Sequence, residues 1–143
     1  MQMKTKLLLS AVAVSSVLSS SAVLAQANEQ FIGLPSYRVG PYASGGSGIY
    51  GGWIDYMNLV NARDGGVNGV KLAWEECETE YNTARGVECY ERLKGKGASG
   101  NSMFMPLSTG ITYAVIDKVA QDKIPLVTIG YGRTDASDGH VFP

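Results

Sequence analysis

The chain has 143 residues, of which 12 are basic and 13 acidic, with one histidine, two cysteines and an apolar fraction of 45%. That length fits one modest domain, and a near-neutral charge without a basic block argues against nucleic acid and anionic membrane as partners. One histidine and two cysteines twelve positions apart do not complete a zinc site.

The first 25 residues read as a secretory signal. Lys4 and Lys6 form a positive start, Leu7 to Leu24 is apolar and softened by serines, and Val23-Leu24-Ala25 and Ala25-Gln26-Ala27 offer small residues for cleavage. A membrane anchor is the competing reading, but the run is serine-rich and ends in cleavage-type residues. Neither cysteine lies near the cleavage site, which argues against a lipid anchor. The expectation is a soluble, exported chain spanning 26–143. Removing the signal leaves 10 basic residues against 13 acidic ones, a net charge of −3. Disulfides persist outside the cytoplasm, so Cys77 and Cys89 are either a bridge tying one element to the next or two thiols.

In the remaining chain, Phe31 to Leu34 is a short apolar run that suits a buried strand. A Gly/Pro-rich loop follows over 35–46. Ile49, Trp53, Met57 and Val60 then fall on one face of a helix, with Ser47 as its cap and Gly65-Gly66 as its stop. Val67-Asn68-Gly69 makes a turn. Val70, Leu72 and Trp74 alternate with Lys71, Ala73 and Glu75, which predicts a strand. Asn82 or Thr83 caps a second helix, with Ala84, Val87, Tyr90 and Leu93 inward. A strand follows at Met103-Phe104-Met105. Ser108 or Thr109 opens a third helix bearing Ile111, Val115 and Val119, and the last strand is Ile124 to Ile129. Strands alternating with helices in this way predict an α/β fold with a doubly wound parallel sheet. Ligands of such sheets bind beyond the carboxyl ends of the strands, here the loops 35–46, 76–82, 106–109 and 130–138.

Gly46-Ser-Gly48-Ile-Tyr-Gly51 is a literal G-x-G-x-x-G. A dinucleotide fingerprint needs its first glycine directly after a strand and an acidic residue about twenty positions on. About ten residues separate Leu34 from Gly46, and Glu75 and Glu76 lie nearer thirty away. The motif is therefore read as a flexible loop entering a helix, with Gly51 and Gly52 letting that helix approach the sheet, and no cofactor is expected. Glu75, Glu76, Glu78 and Glu80 lack the alternation and glycine turn of a calcium loop and read as a solvated strand end. His140 has no nucleophile partner in view, and there is no nucleophile elbow, P-loop or metal triad. The chain is not read as an enzyme.

Three stretches carry a resemblance: "GLPSYRVGPYASGG", "NLVNARDGGVNGVKLAWEECETEYNTARGVECYERL" and "PLSTGITYAVIDKVAQDKIPLVTI". They resemble the N-terminal lobe of periplasmic substrate-binding proteins of ABC transporters, of the branched-chain amino acid (Leu/Ile/Val) type. The N-A-x-x-G-G-[VI]-N-G turn is the most specific mark. The resemblance implies one lobe of a type I periplasmic binding fold, with a second lobe and hinge crossings beyond this chain. It further implies periplasmic location, and a small ligand clamped between two lobes and handed to a membrane permease. Carried over by position, Ser108 and Thr109 meet the ligand's carboxylate, and Gly130, Tyr131 and Gly132 contribute from the loop after the fourth strand. Tyr42 does so from the loop after the first. Helix N-termini favour anions on physical grounds as well. The loop "GYGRTDASDG" departs from the hydroxyl-rich loop of amino-acid binders. Its Arg133 can pair bidentately with a second acidic group, so a small organic acid or amide fits alongside an amino acid. In some relatives a disulfide cysteine stands where Cys77 does, and its partner here would be Cys89. The same lobe would also serve a ligand-sensing module of a membrane receptor.

Overall fold

The computed structural model describes residues 29–129 and 140–142. The expected signal segment and the loop carrying Gly130, Tyr131, Gly132 and Arg133 lie outside the described residues. The elements are β1 (Glu29–Ser36), α1 (Ala43–Arg63), β2 (Lys71–Glu78), α2 (Thr83–Leu93), β3 (Asn101–Phe104), α3 (Thr109–Asp122), β4 (Leu126–Val127) and β5 (Val141–Phe142). The strands form one sheet in the order β2-β1-β3-β4-β5. All four pairings are parallel, and β1 and β2 run in unbroken register from Glu29↔Lys71 to Ser36↔Glu78.

Helices sit on both faces, as a doubly wound sheet requires. On one face Tyr50 and Met57 of α1 are buried with Leu34 of β1 and Leu107. On the other, Tyr90 of α2 and Ile111, Val115 and Val119 of α3 enclose Phe104, Leu126 and Val141. Strand alternation explains this division. Leu34 points to α1, while Phe31 points to α2 and packs on Leu93 and Cys89.

The helix ends follow local chemistry. The Asn82 side chain accepts from the Arg85 N–H at 3.0 Å, and α1 stops where the Gly66 N–H reaches Val60 O at 3.2 Å with Gly65 and Gly66 at φ of 73° and 100°. Three sequence expectations fail in α1. The helix begins at Ala43, so Ser47 lies inside it and caps nothing. Its inward residue is Tyr50, whereas Ile49 is half exposed. Close approach belongs to Gly46, against Tyr37 just past β1, and not to Gly51 or Gly52. A Cβ on Gly46 would lie 2.1 Å from Tyr37 O, while none built on Gly52 meets anything within 4 Å. Of the fingerprint-like glycines, Gly46 alone thus serves helix packing, and a Cβ on Gly48 would meet nothing within 4 Å.

β5 was not foreseen, and the strand expected over Ile124 to Ile129 contracts to Leu126–Val127. Two residues carry no periodic signal. Backbone bonds from Leu126 N to His140 O and from Thr128 N to Phe142 O, both 2.8 Å, define the pairing.

Candidate functional site

The chain leaves β1 for β2 through α1 on one face, whereas β3 continues to β4 through α3 on the other. Neighbouring strands β1 and β3 therefore send their connections in opposite directions, and a crevice opens beyond their carboxyl ends. The start of α1, with Tyr42, lies on one side of it. The start of α3, with Ser108, lies on the other.

Tyr50 pins the floor of this crevice. Its hydroxyl donates to Pro35 O at 2.8 Å and lies 3.3 Å from Pro106 O and 3.4 Å from Met105 O, joining the ends of both strands. Burial, followed by the charges and rings nearby, raises the Tyr50 hydroxyl far above its ordinary range, so it remains a donor at any physiological pH. Tyr50→Phe leaves the Pro35 carbonyl without this donor. The expected loss is about 1–2 kcal/mol in urea unfolding with an unchanged m-value. A variant as stable as the parent contradicts this pinning role.

Past β3, Leu107 turns the chain with φ 48° and buries its side chain among the tyrosines. Ser108 then takes the extended conformation of an N-cap (φ −141°, ψ 120°), and its buried hydroxyl faces the Ile111 N–H at 3.5 Å. Thr109 is the first residue of α3 and is half-buried. Ser108 and Thr109 thus stand at the positive end of a fourteen-residue helix, at the crevice.

On the opposite side Tyr42 is 56% exposed at the start of α1 and leans on Tyr81, with ring centroids 4.3 Å apart and planes at 42°. Tyr81 meets Tyr37 edge-on at 5.0 Å, and Tyr37 meets Tyr50 at 5.6 Å. Burial, then the neighbouring Tyr81, pushes the Tyr37 hydroxyl upward. Tyr81 and Glu80 hold φ of 60° and 52°, a left-handed pair unusual outside glycine. Thr79 fixes it: its N–H and hydroxyl both donate to Ser36 O, at 2.7 and 2.9 Å, and its oxygen accepts from the Tyr81 N–H at 3.2 Å.

The glutamates stay partly exposed, as expected of a strand end, and each also pairs with a nearby donor. Glu76 accepts from Arg38 Nε at 2.6 Å and Glu78 from the Arg38 N–H at 2.7 Å. Glu75 pairs with Lys96 and, at 3.2 Å, with Arg92, and Glu80 pairs with Arg85. Among the described residues no cluster of histidine, cysteine and carboxylates is placed to hold a metal. Cys77, at the end of β2, is bonded to Cys89 in α2, with Cα atoms 5.6 Å apart. Tyr37, Tyr50 and Tyr81 were not singled out as site residues from sequence. The only early sign for Tyr37 and Tyr81 was position, each just past a strand's carboxyl end, and Tyr50, inside α1, had none.

The sequence profile of the periplasmic binding protein family matches residues 29–143. The chain belongs to this family. Among solved structures it is similar to one from the Pseudomonas fluorescens group described as an ABC transporter permease. That likeness has a TM-score of 0.76 at 45% identity, over 81% of this chain and 29% of the other. It also shares its fold with a Streptococcus pneumoniae branched-chain amino acid transporter substrate-binding protein in complex with isoleucine. There the TM-score is 0.67 at 20% identity, over 80% of this chain and 33% of that one. A third neighbour is a fatty acid ABC transporter substrate-binding protein from Thermomonospora curvata, with TM-score 0.64 at 22% identity, over 71% and 25%. The chain therefore spans a third or less of the structures it resembles. Among curated protein sequences there is no match. The fold is that of type I periplasmic binding lobes, and the family is one of binding and transport proteins.

Proposed function

We propose that this protein is an exported solute-binding component that captures an amino acid or related small carboxylate or amide, between this lobe and a second one, for an ABC permease. The observation that carries the proposal is the start of α3, where Ser108 caps the helix at the switch-point crevice. A helix N-terminus there supplies N–H donors and positive potential to a carboxylate. Thr109 adds a hydroxyl. Tyr42, backed by Tyr81, supplies an aromatic surface for the rest of the ligand. From the loop after β4, Gly130, Tyr131 and Gly132 provide backbone and aromatic contacts. Arg133 is suited to a second acidic group. Capture proceeds by closure of two lobes, because ligand contacts with both lobes form only in the closed state.

Thermal shift against a panel of L-amino acids and small mono- and dicarboxylates tests this. At a hundredfold excess over its Kd, a ligand stabilises the native state by about 2.7 kcal/mol. The expected result is an increase in Tm with at least one carboxylate. Ser108→Asp keeps a good capping residue but sets a negative charge where the carboxylate binds, so this variant should keep its own Tm and lose the ligand-induced increase. A response that survives Ser108→Asp contradicts the placement of the site.

A further inference from the structure

Thr79 to Asn82 is a tight turn, closed from the Asn82 N–H to Thr79 O at 2.8 Å. Its two central residues, Glu80 and Tyr81, both hold positive φ, 52° and 60°. Turns with two such residues are built mainly from glycine, asparagine and aspartate, which reach that conformation with little strain. A glutamate followed by a tyrosine reaches it only under strain, because each Cβ crowds the neighbouring carbonyl oxygen. Strained backbone persists where its surroundings over-determine it, and it gathers at ligand sites.

The bonds that hold the turn need no side chain at position 81. Thr79 is fully buried and clamped to Ser36 O through its N–H and its hydroxyl, and its oxygen accepts the Tyr81 N–H. Glycine would close the same turn. What tyrosine adds is a ring set between two others, edge-on to Tyr37 at 5.0 Å on one side and 4.3 Å from Tyr42 on the other. Tyr37 already has the Tyr50 ring and the first turn of α1, at Gly46, against it. Tyr42 has neither. It stands at the N-cap of α1 without a side-chain capping bond, and among the described residues Tyr81 supplies the one ring it meets. Gly40 brings the two loops together, turning at φ 95° with its Cβ position 3.2 Å from Glu80 O.

We propose, resting on the reading of Tyr42 as a ligand contact, that Tyr81 is a positioning residue. The strained turn sets its ring behind Tyr42 and fixes the direction in which Tyr42 faces the crevice. The strain lowers stability at Glu80 and Tyr81. In return the aromatic wall is preformed, and ligand binding need not order it. Because Tyr81 acts through Tyr42, its influence on affinity exists only while Tyr42 is present.

Isothermal titration of the full-length protein tests this, with the L-amino acids and small mono- and dicarboxylates of the thermal-shift panel as probes. Tyr81→Gly releases the strain and removes the ring. It should weaken the Kd of the responding probe by about tenfold. Tyr81→Asn, also at home in this conformation, repeats the comparison with a stiffer backbone, and circular dichroism checks that both fold. Tyr81→Phe keeps the ring and should bind as the parent does. In a Tyr42→Ala background, Tyr81→Gly should change the Kd by about twofold at most, since the contact it positions is gone. Glu80→Gly releases strain one residue earlier and gives up only an exposed ion pair with Arg85. It should raise the Tm by a few degrees and leave the Kd as it is. Equal weakening by Tyr81→Gly with and without Tyr42 overturns the proposal, because Tyr81 would then act on the ligand without Tyr42. A Kd indifferent to Tyr81→Gly overturns it too, while a response lost in Ser108→Asp would still uphold the carboxylate site. A lower Tm for Glu80→Gly overturns it by showing that the turn carries no strain. A parent that binds none of the probes overturns both the carboxylate site and the role of Tyr81.

Discussion

Gly46→Ala should lower the melting temperature by roughly 10 °C, whereas Gly51→Ala, five residues along the same helix, should leave it level or raise it slightly. The helix gains from alanine at either position, by about 0.5–1 kcal/mol. What separates them is the neighbour. The new Cβ at position 46 would stand 2.1 Å from Tyr37 O and 2.4 Å from the Tyr37 ring. The carbonyl is backbone and cannot rotate aside, so the first turn of α1 or the loop 37–42 must shift. Overpacking of this kind costs about 3 kcal/mol, which for a domain of this size corresponds to about 10 °C. At Gly51 the nearest atom is Arg38 Nη1 at 3.9 Å, an ordinary contact at the end of a flexible side chain. The shift at position 46 also moves Tyr37, on which Tyr81 and hence Tyr42 rest. Ligand response should therefore weaken together with stability. Equal Tm values for the two variants would contradict the close contact between α1 and Tyr37.

A second large effect is expected on removing the bond between Cys77 and Cys89. The bridge closes a short loop holding the Glu78–Asn82 turn, and both cysteines are buried beside Phe31 and Leu93. Closing a loop of this size stabilises by about 3 kcal/mol through the unfolded chain. The double variant Cys77→Ala/Cys89→Ala should therefore melt roughly 10 °C lower than the parent. Reductant should lower the parent's Tm by a similar amount and leave the double variant where it is. A parent indifferent to reductant would show that the two sulfurs are not bonded in the purified protein. Because Thr79, Glu80 and Tyr81 follow Cys77 directly, loosening this corner should also increase hydrogen exchange at the Tyr81 amide.

The order of strands and helices was legible because its signals are local. Alternation over Val70 to Glu75 marked β2, and cap signals at Asn82 or Thr83 and at Ser108 or Thr109 marked the starts of α2 and α3, where Asn82 and Ser108 are the caps. The start of α3 was legible because a hydroxyl before an apolar period has few other uses, though both Ser108 and Thr109 fit it. The start of α1 was not. "ASGGSG" has the composition of a loop, and only the seat of Gly46 against Tyr37, a tertiary contact, makes it helical. The same composition hid the inward residue, since Tyr50 between glycines gave no period to follow. Its role depends on carbonyls at Pro35, Met105 and Pro106, up to 56 positions away in sequence. Tyr81 was hidden among glutamates that looked solvated. Their pairings with Arg38, Arg92 and Lys96 were hidden because those residues come from segments the sequence does not show to be adjacent.

The central claim is that the start of α3 receives a carboxylate. Its most direct test is an amide NMR titration of the ¹⁵N-labelled protein with whichever carboxylate raises the Tm, paired with the same compound bearing a neutral amide in place of that carboxylate. The account predicts that the acid moves the Thr109, Gly110 and Ile111 amide signals in a saturable manner and that the neutral counterpart moves them little. Saturable shifts confined to other regions, or equal shifts with acid and amide, would contradict it.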